Sequence, residues 1–123
     1  MSLPPREPFV DGTARFSQQT VGHRTVISVT GEVDVFAAPL LRRAVDEALG
    51  HGGVELWIDL SETEFMDSSG LHALVDTHAR VRDLKRRLTV ICPPGPVRRV
   101  IDVSGLAEQL PLAVDRAAAH RNS

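Results

Sequence analysis

The chain has 123 residues, 42% hydrophobic and 24% charged, a balance that fits one self-sufficient globular core and excludes a disordered or fibrous architecture. Its net charge of −2 offers no general attraction to nucleic-acid phosphates or anionic membranes. An aromatic share of 4%, with no Tyr, argues against base-stacking platforms.

Residues 1–8 carry three prolines and little periodicity, so they read as a flexible leader, with the folded domain over 9–120 and a tail at 121–123. Ala14–Gln18 and the β-branched Thr25–Thr30 read as strands joined by the polar turn Val21-Gly22-His23-Arg24, hence an antiparallel hairpin. After Gly31-Glu32-Val33-Asp34, Pro39 suits a first helical turn. Leu40, Leu41, Ala44, Val45, Ala48 and Leu49 then recur at helical spacing before Gly50. The run Val54–Leu60 predicts a strand with Val54, Leu56, Ile58 and Leu60 on one face and Trp57 on the other, toward a second layer.

A short loop then delivers Asp67, Ser68, Ser69 and Gly70 to an amphipathic helix from Ser69 onward, marked by Leu71, Leu74, Val75, His78, Val81 and Leu84 or Lys85. Leu88–Cys92 predicts another strand, and Pro93-Pro94-Gly95-Pro96 opens a short helix bearing Val97, Val100 and Ile101 that stops at Ser104-Gly105. Gln109–Val114 fits a short edge strand, where Pro111 is tolerated, and Ala113–His120 a terminal helix. Two strands followed by strand–helix alternation imply an α/β domain. The expected architecture is a mixed sheet of four to five strands, with about four helices packed mainly on one face.

The two hydroxyls after Asp67 sit where a helix is still short of acceptors. Its first N–H groups lack intrahelical partners and carry the positive end of the macrodipole, so a phosphate is tolerated there. A serine before a helix is also an ordinary N-cap, and Asp67 could serve as the cap itself. Gly70 fits close backbone packing at the helix start. The lone Cys92 lies in an apolar run, which excludes an intrachain disulfide and fits a buried thiol in an intracellular setting.

His23, His51, His72, His78 and His120 show no ligand spacing, so no metal is expected, and His78 falls on the apolar helix stripe as a half-buried residue. No phosphate-cradling glycine loop is present, so no cofactor is expected and any nucleotide would be held by a partner. The acids Asp59, Glu62, Glu64 and Asp67 beside Ser68 leave open a small hydrolase. No apolar run approaches the roughly 20 residues that span a bilayer, so no membrane association is expected and the expected location is cytoplasmic.

The block Phe65-Met66-Asp67-Ser68-Ser69-Gly70-Leu71 resembles the signature of the STAS domain, specifically that of bacterial anti-sigma factor antagonists. Gly31-Glu32-Val33-Asp34 is similar to that family's turn after the second strand, Asp59-Leu60-Ser61 to its strand end, and Val97–Leu106 to its late helix closing on Ser-Gly-Leu. The resemblance implies a non-enzymatic protein whose Ser68 accepts phosphate from an anti-sigma factor that is also a serine kinase and supplies the ATP. Unphosphorylated, it would capture that kinase and free a sigma factor; phosphorylation would end the capture. Glu32, Asp34, Asp67, Ser69, Gly70 and Leu71 would lie at the partner-binding surface, a phosphatase would be a further partner, and no direct contact with nucleic acid is implied. Within the same family, service in a stressosome-like scaffold or a lipid-transport assembly is the alternative.

Overall fold

The computed structural model describes residues 9–11 and 14–121. The leader expected over 1–8 and the final residues 122–123 of the expected tail lie outside the described residues. A short strand β1 (Phe9–Asp11) pairs antiparallel with β2 (Ala14–Val21), which forms the expected hairpin with β3 (Arg24–Val33). Helix α1 (Ala38–Gly50) leads to β4 (Glu55–Met66), and helix α2 (Ser68–Asp83) to β5 (Arg87–Ile91). Helix α3 (Pro96–Ser104), a single 3-10 turn at Ala107–Gln109, the two-residue β6 (Leu112–Ala113) and the short α4 (Arg116–Arg121) complete the order.

The sheet runs β1-β2-β3-β4-β5-β6, antiparallel through β3 and parallel from β3 to β6. The α/β class and mixed sheet are as expected, with β2–β6 supplying the five expected strands. The three-residue β1 adds a sixth at the edge, too short to carry a periodic signal.

Leu41, Ala44 and Val45 of α1, Leu71, Leu74 and Val81 of α2, and Val97 and Ile101 of α3 close over Ile27, Val29, Leu56, Ile58, Leu60 and Val90. Nine-residue α3 ends on Gly105 in the left-handed region, φ 79°, where a side chain would be strained. On the other face, among the described residues, α4 brings Ala119 against Val26, Trp57, Ile91 and Ala113 in a smaller cluster. Trp57, 1% exposed, meets this second layer as expected: the His120 ring stands edge-on at 4.8 Å, and the Arg24 guanidinium lies 3.9 Å over the indole while also bonding Glu55 at 2.9 Å.

Several boundaries depart from the expectations; β2 runs on to Val21, β5 spans Arg87–Ile91, β6 shrinks to Leu112–Ala113 and α4 starts only at Arg116. Val54 is exposed and precedes β4, so the inward face of that strand begins at Leu56. Beyond Leu60 the chain stays in β4 to Met66, although Ser61-Glu62-Thr63-Glu64 is polar throughout. Gly31, Glu32 and Val33 likewise continue β3, and the turn begins only at Asp34. Helix α2 starts at Ser68 rather than Ser69.

The parallel ladder tolerates this length because its register shifts twice, between Ser28 and Thr30 and between Gly31 and Glu32. The burial of Leu60, Thr63 and Met66, three residues apart instead of two, records those shifts. Thr63 answers its burial by donating its hydroxyl to the Val29 carbonyl at 2.8 Å. Cys92 is buried as expected; burial, partly offset by Arg98 and reinforced by Asp102, pushes its thiol up to about 11.

Candidate functional site

Helices α1, α2 and α3 all start where the parallel strands β3, β4 and β5 end, so three helix entries share one rim of the sheet. At the end of β4 a single residue, Asp67, separates strand from helix. Its N–H donates to the Val33 carbonyl at 3.1 Å, tying it to the end of β3. Its Oδ1 accepts from the Ser69 N–H at 2.8 Å and the Gly70 N–H at 3.4 Å, and its carbonyl takes the Leu71 N–H at 3.1 Å. Asp67 is therefore the N-cap, a role worth about 0.5–2 kcal/mol to the helix.

The capping role leaves Ser68 free. It is the first residue of α2, its side chain is exposed, and its hydroxyl makes no hydrogen bond with the described residues. Ser69 is half-buried. Gly70 is buried where a Cβ would stand 2.7 Å from Met66 Cγ, 2.9 Å from Val33 Cγ1 and 3.1 Å from the Val33 carbonyl oxygen. A side chain there would push the helix start off the sheet, so the glycine fixes how close Ser68 lies to the strand ends.

One strand over, Asp34 folds its carboxylate back onto the Phe36 and Ala37 N–H groups, both at 3.0 Å, and its carbonyl accepts from Ala37 and Ala38. The turn leaves Val35 and Phe36 exposed, at 58% and 74%. Glu32 is exposed on β3, in register with Phe65 of β4. The structure thus gathers Glu32, Asp34, Asp67, Ser68 and Ser69 along one rim. Gly70 and Leu71 lie beneath it, buried.

Next to Ser68 runs an apolar groove of about 530 Å³, with Phe65, Ser68 and Leu71 on its α2 side and Arg99, Val100 and Val103 on its α3 side. Phe65 is 43% and Val103 82% exposed. Val103 falls off the face that buries Val97 and Ile101, and such an apolar residue on the outward face of a short helix is the signal that could have marked the groove in advance. Phe36, just past an acidic turn, carries the same kind of signal.

Of the loop acids, Asp59 is committed elsewhere. Asp59 lies on the α4 face, where Arg116 Nε donates to its Oδ2 at 2.8 Å and the Ser61 N–H to its Oδ1 at 2.9 Å. Burial would raise its pKa, but hydrogen bonds from the Ser61 side chain and backbone, then the bond and charge of Arg116, hold it below the ordinary value. No histidine or carboxylate is hydrogen-bonded to Ser68 as a base would be, and no cluster of metal-ligating groups occurs among the described residues. Among the same residues no helix is long and apolar enough to cross a membrane.

A family model for the STAS domain matches residues 15–119, nearly the whole described chain. The chain belongs to the STAS family of anti-sigma factor antagonists. This STAS chain is 30% identical over 82 residues to the anti-sigma-B factor antagonist of Listeria monocytogenes, covering 67% of this chain and 72% of that one. The crystal structure of an anti-sigma factor antagonist from Mycobacterium paratuberculosis superposes with a TM-score of 0.78 at 28% identity, over 90% of this chain and 96% of that one. The antagonist SpoIIAA in its unphosphorylated form superposes with a TM-score of 0.70 at 25% identity, over 86% and 94%. The phosphorylated form of the Bacillus SpoIIAA shares the fold with a TM-score of 0.64 at 24% identity, over 88% and 99%.

Proposed function

We propose that this STAS domain is a non-enzymatic anti-sigma factor antagonist, which docks on an anti-sigma factor serine kinase through the rim around Ser68 and loses that partner when Ser68 is phosphorylated. One observation carries the reading: Asp67 does the capping, so Ser68 stands exposed at the helix start, beside an apolar groove, with no structural duty of its own. The kinase would hold the ATP. As the bond from the γ-phosphorus to ADP breaks, the Ser68 oxygen takes the phosphoryl group and its proton leaves to a base on the kinase.

The added group brings about −1.5 to −2 charge onto a rim that already carries Glu32, Asp34 and Asp67. At a helix N-terminus an anion is worth about 0.3–1 kcal/mol in its favour, whereas a repelled or unpaired charge in an interface commonly costs about 2–5 kcal/mol. The fold can therefore keep a phosphate that the interface rejects. Support for the partner class comes from the relatives described as antagonists of anti-sigma factors, and SpoIIAA exists in both phosphorylation states.

The test is to incubate the protein with ATP and the host's candidate anti-sigma factor kinases, map the phosphosite, and compare capture by wild type and Ser68→Ala. Phosphate on Ser68 with loss of the complex, and an alanine variant that keeps its partner in the presence of ATP, are expected. Phosphate elsewhere, or capture of transporter or scaffold subunits with no kinase, overturns the reading.

A further inference from the structure

We infer that Arg99 of α3 is the phosphate-binding residue of this switch, taking the phosphoryl group of a modified Ser68 across the groove. The inference rests on Ser68 being the modified residue and adds where its phosphate goes. Arg99 and Ser68 line the same groove from opposite sides, and the rest of its lining, Phe65, Leu71, Pro96, Val100 and Val103, is apolar apart from Ser104, whose hydroxyl donates to the Ile101 carbonyl at 2.6 Å. Arg99 is thus the groove's cation.

It is also uncommitted. Arg98, its neighbour on α3, is tied to Asp102 at 3.2 Å and reaches the Cys92 carbonyl at 3.5 Å, whereas Arg99 is exposed and its side chain forms no hydrogen bond or ion pair with the described residues. On the helix side the phosphate finds the cap taken: the Ser69 and Gly70 N–H groups already bond Asp67, whose carboxylate repels a second anion. Those cap N–H groups are therefore not open to the phosphate as direct donors, and the directional partner left to it lies across the groove, where a planar guanidinium presents a fork matched to phosphate oxygens.

An arginine–phosphate pair there would lie over the apolar floor formed by Leu71 and Val100. Phosphorylation would then do two things at once, placing charge on the rim and covering the groove a partner would enter. A bare Ser68→Asp substitution reproduces only part of this, because one carboxylate is shorter and carries less charge.

The experiment is a phosphorus NMR titration of protein carrying phosphoserine at position 68, installed during translation so that no kinase is needed. An unperturbed phosphoserine has a second pKa of about 6. With Arg99 present the value is expected to be lower than in Arg99→Gln by about 0.5 units or more, with Arg99→Lys in between because a point charge lacks the fork. Arg98→Gln, one residue away and committed to Asp102, should leave the wild-type value unchanged.

Equal values in wild type and Arg99→Gln overturn the inference, as does a rise in Arg98→Gln as large as that in Arg99→Gln, which would make the effect a general field. The outcome is separable from the proposed function. A kinase that modifies Ser68 while Arg99→Gln leaves the phosphate titration unmoved sinks this assignment alone, and a shifted titration stands even where no kinase modifies the serine.

Discussion

The chain builds the same device twice on neighbouring strands, and the two copies present different groups. At the end of β3, Asp34 bonds the backbone N–H groups two and three residues ahead; at the end of β4, Asp67 does the same. After Asp34 the chain makes a turn of three residues before α1 and leaves Val35 and Phe36 exposed. After Asp67 it enters α2 at once and leaves Ser68 exposed. An aspartate that satisfies the backbone by itself releases the next side chain from structural work, so one turn can display an apolar ring and the other a hydroxyl.

That division of labour can be broken from either side. The largest effect is expected at Ser68: Ser68→Asp should weaken kinase capture by about 2 kcal/mol or more, at least about thirtyfold in Kd by calorimetry, with the thermal midpoint nearly unmoved. Gly70→Ala attacks the support beneath it. With Met66 and Val33 already under 3 Å from the new methyl, overpacking should cost about 1–3 kcal/mol in urea unfolding. Asp67→Ala should cost about 0.5–2 kcal/mol while Asp67→Asn keeps most of the stability, since either side-chain oxygen can accept from Ser69 and Gly70.

A smaller, pH-dependent effect separates the rim from the opposite face. Asp59 is held below its ordinary value of 3.8, so the stability it contributes is complete above that pH and is lost as pH falls through the lower folded value. Arg116→Gln should therefore destabilise by about 0.2–1 kcal/mol near neutrality, the exposed-pair scale that suits a half-exposed arginine, and the two unfolding curves should converge in acid. At the bottom of the scale, Phe36→Ala should leave stability within about 0.5 kcal/mol while measurably reducing capture, the reverse of Gly70→Ala.

The parts of the fold legible in the sequence are those where apolar residues keep one period. The hairpin of β2 and β3, the stripe of Leu41, Ala44, Val45 and Ala48 on α1, and the glycine stop of α3 were all of this kind. The second half of β4 was not: Ser61-Glu62-Thr63-Glu64 is polar, and its register shifts destroy the alternation that marks a strand. At the site, the order Asp67-Ser68-Ser69-Gly70 marked the start of α2, but which residue capped the helix depended on backbone geometry. Val103 left an outward apolar signal, but its meeting with Ser68, like that of Arg99, was invisible because they join Ser68 only when α3 folds beside α2, some thirty residues away in the chain.

The shifted register of β4 has one more consequence, which concerns length. From paired Ser28 and Asp59 to Asp34 and Asp67, the chain uses six residues after Ser28 and eight after Asp59 to cover matching ground. The surplus makes the stretch from Glu62 to Glu64 a ruler: remove one residue and Met66 exchanges its place in the core for a place outside, carrying the entry of α2 around with it. Surface connections elsewhere tolerate insertions and deletions, but here a single lost codon in a polar, unremarkable segment would turn the serine away from its groove while leaving every residue of the signature intact.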